Sequence, residues 1–275
     1  MRRGMIAARM ARAVVLVLVL VVFLFPIYWM VTMSFKTNVE IFEIPPRFVN
    51  VPRLDSYVRI FTEANFVKYF VSSLIVAAGT IVLCFTFGML AAYSLSRFRF
   101  RGRDTIKVLI LGFRMMPAVT LLIPLFIIYR RLRLLDTYPA LMLTYTAFLL
   151  PFTIWMLVSY LADIPREIDE SAIIDGAGFL RIILTMIVPL AAPGMAALAI
   201  LDFGYSWNEY ILASLLTSEA SRTLPLVFQF FLGEHSPRWN DIMAVCAVMA
   251  IPIVIGILFF QRYMVRGLTL GAVKG

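Results

Sequence analysis

A chain of 275 residues that is 62% hydrophobic, with a mean hydropathy of +0.91, is far more apolar than the roughly half-apolar mix of a soluble domain. Its formal charge of +9 sits on arginines at the ends of apolar runs rather than along one surface, which reads as a membrane-topology signal and argues against a nucleic-acid partner. Cys84 and Cys246 lie inside apolar runs as small buried hydrophobes, and His235 is the single histidine, so a His-based metal cluster is excluded.

A helix needs about 20 apolar residues to cross a bilayer. Six such stretches follow one another, over residues 13–35, 67–94, 105–129, 138–161, 182–213 and 241–263. The expected fold class is therefore an all-α membrane protein with six transmembrane helices; the alternating pattern of an outer-membrane barrel is absent. The first run follows Arg2, Arg3, Arg9 and Arg12 as a signal peptide would. It is too long for one and no small-x-small cleavage site closes it, which predicts an uncleaved first helix. Segment 36–65, rich in proline and charge, is expected outside the membrane. Pro117 and Pro124 predict bends in the third run, Pro189 and Pro193 in the fifth. With the N-terminus inside, the inner segments hold the larger share of the 25 basic residues, although Arg130, Arg131 and Arg133 in a short outer loop count against that bias. Both termini are expected in the cytoplasm.

Two ionisable residues, Arg114 and Asp202, fall within apolar runs. Each costs about 2.5–3.5 kcal/mol at depth on insertion scales, so each should face protein or a water-filled cavity. They are candidates for a translocation path, paired with one another or bonded to a polar solute, with helix–helix contact as the plainer alternative. Near the outer end of the fifth run, Trp207-Asn208-Glu209 suits an interface, and Asn208 and Glu209 join the path candidates.

Between the fourth and fifth runs stands a short polar segment, 163–181. Asp163 is placed to cap a helix and Pro165 suits its first turn. Glu167, Asp169 and Glu170 crowd the positive end of that helix, and Gly176 can take the left-handed turn that ends it. A helix of about three turns is expected. Ile168, Ile173 and Ile174 do not share one face, which suits a protein socket better than water or a lipid surface. Acids outnumber bases in the segment, on an otherwise basic side of the membrane, as a basic cleft in a partner would require.

Glu170-Ser171-Ala172, then Gly176, then Met186-Ile187-Val188-Pro189 resembles the Glu-Ala-Ala, Gly, Ile-x-Leu-Pro loop of bacterial ABC importer permeases, with conservative departures at Ser171, Met186 and Val188. The ending Arg266-Gly267-Leu268-Thr269-Leu270-Gly271-Ala272-Val273-Lys274-Gly275 is similar to that of one of the two permeases in maltose-type importers. The resemblance implies a type I importer permease fold and uptake of a sugar or polyol. It implies a first helix and outer loop over 1–66, a permease core over 67–263 and a cytoplasmic tail over 264–275, in a bacterial plasma membrane. Glu170, Ala172, Asp175, Gly176 and Pro189 would form the ATPase-coupling loop, and Gly271 and Lys274 a tail contact with the ATPase. The implied partners are a second permease, an ATPase dimer and an extracytoplasmic sugar-binding protein, with the outer loop 217–240 meeting the last. No cofactor is expected on this chain; ATP and Mg belong to the partner ATPase. None of the four lysines follows a glycine, so the chain has no P-loop of its own.

Two other classes compete. An ion-coupled secondary carrier would use Asp202 as its ion site, but the two related halves common in such folds are not visible. A membrane enzyme would want a cluster of His, Asp or Cys at the interface, which one histidine and two separated cysteines do not supply.

Overall fold

A computed structural model describes residues 2–233 and 236–270, and side chains for residues 9–233, 236–259 and 261. Gly271, Lys274 and His235 lie outside the described residues. In chain order the helices are α1 (Arg2–Ser34), α2 (Asn38–Ile41), α3 (Asp55–Glu63), α4 (Phe66–Arg97), α5 (Arg103–Phe113), α6 (Ala118–Arg131), α7 (Tyr138–Ala162), α8 (Glu167–Ile174), α9 (Phe179–Ile182), α10 (Val188–Asn208), α11 (Ile211–Leu216), α12 (Phe228–Leu232) and α13 (Trp239–Leu270). A π turn, Ile183–Ile187, joins α9 to α10, and a 3₁₀ turn, Leu224–Val227, precedes α12. Among the described residues, five helical stretches are long and apolar enough to cross a membrane: Arg9–Ser34, Phe66–Arg97, Tyr138–Ala162, Phe179–Asn208 and Trp239–Phe259.

The sixth expected span is broken. Residues 105–129 do not form one helix: α5 and α6 meet at 91°, with Arg114 capping α5 and Pro117 preceding α6. Pro117 has no N–H to give and pushes the residue before it out of the helical region, so the predicted bend becomes a full break. The fifth span differs more mildly. Pro189 cannot donate to the carbonyl four residues back, and the helix widens into the π turn just before it. That span ends at Asn208, and residues 211–216 form the separate α11.

The chain divides into two compact units, one of Met1–Val67 with Val227–Ile251, the other of Lys68–Leu226 with the chain from Pro252 on. In the first unit, residues 14 to 25 of α1 are exposed on every side of the helix. Thr37 closes a capping box with Glu40 at the start of α2. Asp241, fully buried at the start of α13, takes a bidentate contact from Arg59 of α3 at 2.6–3.1 Å, and Arg238 Nε lies 3.5 Å from its Oδ2. The buried carboxylate is thus paired with two guanidiniums that stay partly in water.

In the second unit α10 and α5 pack on α7, and α11 packs on α6 and α7. One core cluster, at the end nearer α8, gathers Tyr93, Leu157, Leu161, Ala172, Ile183 and Leu198. Another, at the opposite end, gathers Val76, Tyr129, Leu141, Tyr145, Leu212 and Leu226. Close helix approach depends on absent side chains. A Cβ on Gly194 of α10 would lie 2.7 Å from the Tyr160 ring of α7.

Candidate functional site

α8 is shorter than its sequence predicts and starts later. It spans eight residues from Glu167, and Arg166 is its N-cap without a side-chain bond. Asp163 instead closes the C-terminal end of α7. Pro165 holds the chain out of helix, and the first turn closes only with Glu170 N–H on the Arg166 carbonyl, 3.1 Å. The far end matches expectation. Gly176 sits at φ +78, with Gly176 N–H on Ile173 O and Ala177 N–H on Ala172 O. That is a left-handed C-terminal cap that a glycine adopts without penalty.

What holds α8 in place is an acid the sequence does not single out. Asp169 is buried and lies 2.8 Å from Arg97 Nε at the end of α4, each side chain only 8% exposed. The contact is an ion pair rather than an aligned hydrogen bond, since neither Arg97 Nε nor Asp169 Oδ2 meets bonding geometry. Tyr93, one turn earlier on α4, donates its hydroxyl to Asp169 Oδ1 at 2.8 Å. Arg97 also donates to Ile164 O at 3.0 Å, and Arg166 to Ser96 O at 3.1 Å. Phe179 packs edge-on to Tyr93 and stacks with Phe98. The loop is thus clamped to one helix end by four polar links and an aromatic cluster.

The coupling candidates divide by exposure. Ala172 is buried in the core beside Leu161. Glu170, Asp175 and Gly176 are exposed. Pro189 stands at the first turn of α10. Beside the exposed acids, Ile173 is 61% exposed, Ile174 85% and Leu180 60%, a cost in water unless something covers them. Only Ile168 of the three isoleucines is partly buried.

The path candidates are not directly bonded to one another. Among the described residues no hydrogen bond or ion pair joins any two of Arg114, Asp202, Asn208 and Glu209. Arg114 is exposed in the break, its guanidinium 4.6 Å over the Phe152 ring. Asp202 is fully buried and accepts from Thr153 of α7 at 3.1 Å, while its Oδ1 has no partner. Asn208 bonds back to Gly204 O. Glu209 caps α11: its two oxygens accept from Leu212 N–H at 2.8 Å and Ala213 N–H at 2.9 Å, and Tyr145 donates to it at 3.1 Å. A hidden cap of this kind has a sequence signal, an acid two residues before a short apolar helix. Asp169 has none, because its burial depends on where α4 ends.

Residues 85–270 match the family model described as binding-protein-dependent transport system inner membrane component. The chain is 35% identical over 269 residues to the trehalose/maltose transport system permease protein MalG of Thermococcus litoralis, covering 94% of each. It is 38% identical over 264 residues to the inner membrane ABC transporter permease protein YcjP of Escherichia coli, again covering 94% of each. Among solved structures, a chain of a bacterial ABC transporter involved in the import of the acidic polysaccharide alginate superposes with a TM-score of 0.77 at 23% identity, covering 95% of this chain and 98% of that one. The fold is accordingly that of an importer permease.

Proposed function

The chain belongs to the family of binding-protein-dependent transport system inner membrane components, and on that footing we propose that it is the permease subunit of an ATP-driven importer for a sugar or polyol. It spans the plasma membrane and carries no ATPase site of its own, and the motor is a separate polypeptide. A second permease and an extracytoplasmic binding protein complete the assembly. Both termini lie in the cytoplasm, and so does α8.

The observation that carries this reading is the anchored loop. Its inner face is fixed to α4 through Asp169, Arg97 and Tyr93. Its outer face offers Glu170, Asp175, Ile173 and Ile174 to a partner. A push on α8 by the ATPase therefore passes to the end of a 32-residue helix instead of bending a slack loop. Ala172 wedges that face against the core, Gly176 turns the chain out of α8, and Pro189 sets the π turn where the push enters the fifth span. ATP-driven closure of the ATPase dimer would draw two such loops together and turn the cavity outward, and hydrolysis would reset it. Gly271 and Lys274, in the segment after α13, make the second contact with the ATPase.

Arg114 and Asn208 present exposed polar groups and are the residues assigned to sugar hydroxyls; Asp202 and Glu209 are bonded within the protein, to Thr153 and to the start of α11. The relatives named for trehalose and maltose support a carbohydrate as cargo. The test is ATPase recovery and uptake in membranes carrying Ile174→Glu. This variant buries a charge in the proposed contact without touching the anchor, and is expected to lose both ATPase association and uptake with the protein still inserted. Retained association would remove α8 from the coupling role.

A further inference from the structure

Beside the anchored loop lies a cluster of cations that the anchor engages only in part. A cleft of about 590 Å³ opens between the end of α4, the start of α5, the end of α7 and the turn into α8. Arg97, Arg103, Lys107 and Arg166 line it, with Glu167 as the one carboxylate of the lining. Arg97 is already taken by Asp169. Lys107 is 3.3 Å from Asp104, whose side chain is 90% exposed, a pairing that water screens. Arg103 and Arg166 have no carboxylate partner among the described residues, and Arg103 Nε is buried with no hydrogen-bond acceptor. A buried guanidinium N–H without a partner calls for an acceptor from outside the chain.

The cleft continues into an apolar groove of about 270 Å³ along α5 and α7. Leu95, Val108, Leu111, Ile154 and Trp155 line that groove, and Lys107 and Val158 belong to both. Val108 is 71% exposed and Trp155 49%. Cations at one end and an apolar trough running along membrane helices match an anionic head joined to a hydrocarbon tail. Basic pockets between helices on the cytoplasmic side of a membrane bind lipid headgroups by this chemistry. A free phosphate or nucleotide would use the cations and leave the trough unexplained.

We propose that cleft and groove together bind one anionic phospholipid, its phosphate on Arg103, Lys107 and Arg166 and an acyl chain against Val108, Leu111 and Trp155. The assignment to the cytosolic leaflet rests on the orientation proposed above; the site does not depend on what the protein transports.

Native mass spectrometry tests it on the importer extracted with its partners and on the isolated full chain. The added probes are dioleoyl phosphatidylglycerol, dioleoyl phosphatidylcholine or inorganic phosphate. Phosphatidylglycerol is expected to be retained in preference to phosphatidylcholine, and retention to fall about fivefold in Arg103→Ala and again in Lys107→Ala. Val108→Trp, which fills the trough and leaves every cation in place, should lose the lipid as well. Arg130→Ala at the opposite membrane face should not. Equal retention of the two lipids, or unchanged retention in both Arg103→Ala and Val108→Trp, would overturn the site. Displacement by phosphate with no effect of Val108→Trp would replace the lipid by a free anion. Lipid held by the lone chain and excluded from the assembly would mean that a protein neighbour fills the groove. Because the readout is retention rather than uptake, a failed transport assay leaves this result standing, and the converse also holds.

Discussion

Asp169 and Glu170 are neighbours on one short helix, and the structure gives them opposite tasks. The sequence pattern draws the eye to Glu170, which stands in the family motif. Burial draws it to Asp169, whose carboxylate meets Arg97 and Tyr93 inside the protein. Removing one partner of a buried ion pair strands the other, at about 3–5 kcal/mol. Asp169→Ala is therefore expected to loosen the whole loop, seen as faster amide exchange over 166–176 and lost uptake. Glu170→Ala should weaken ATPase recovery while leaving exchange in the loop unchanged. Equal exchange in the two variants would remove the anchor from the account. Gly176 gives a second contrast. Its φ of +78 penalises any side chain, although a Cβ there would meet nothing within 4 Å. Gly178 has ordinary extended geometry and equally open space. Gly176→Ala should cost about 1–2 kcal/mol in the isolated chain and Gly178→Ala close to nothing, as thermal melting of the two variants in detergent would register.

At the scale of elements, two long-range contacts fix what the spans cannot. Asp136, in the loop before α7, accepts from the backbone N–H of Ser218, Glu219, Ala220 and Ser221 at 2.9–3.2 Å, and from the Ser221 hydroxyl. Burial pushes this carboxyl up, but the N–H groups of Ser218, Ser221 and Ala220 outweigh it and hold it well below the usual carboxylate range. A depressed native value means that the clamp is at full strength above the unfolded value of about 3.9 and is lost only as pH falls through the lower native one. Amides 218–221 should stay as protected at about pH 4 as at neutral pH, and Asp136→Ala should speed their exchange roughly tenfold. Protection that fades between about pH 5 and pH 4 would contradict the clamp. Helix spacing supplies the other contact. Gly194→Ala drives a methyl into the Tyr160 ring, an overpacking worth about 1–3 kcal/mol, whereas Gly204→Ala meets open space and is expected to melt like the parent. These features explain what could and could not be read from residues alone. Five spans are plain in the sequence because membrane crossing is a matter of local composition. The α5–α6 break is half legible: Pro117 announces a bend, but the 91° angle is set by what α5 and α6 pack against. Gly176 is legible because a positive φ has a residue preference, while Asp136 and Asp169 look like ordinary loop acids until distant segments are placed beside them.

For the molecule as a whole, two deficits point outward. The first is mechanical. With no glycine before any of its four lysines, the chain cannot build the phosphate loop that an ATPase needs, yet the anchored α8 loop leaves Glu170, Ile173 and Ile174 uncovered. The second is one of surface. From Val14 to Phe25 the first helix is exposed on all sides, and a helix apolar all round must be covered by lipid or by another span. Both deficits predict the same behaviour of the purified subunit. Reconstituted alone in lipid vesicles with Mg-ATP, it should insert as a helical protein, hydrolyse no nucleotide and bring a labelled sugar no further than equilibrium. Co-reconstitution with its ATPase, second permease and binding protein should produce accumulation against the gradient, and vanadate, which arrests the partner motor, should abolish it. An ion gradient imposed without the partners separates this reading from a carrier centred on Asp202. Uptake driven by protons or sodium in the lone chain, and lost in Asp202→Asn, would transfer the energy source to that buried carboxylate. Uptake that ignores the gradient and follows ATP in the full assembly leaves the anchored loop as the place where work enters.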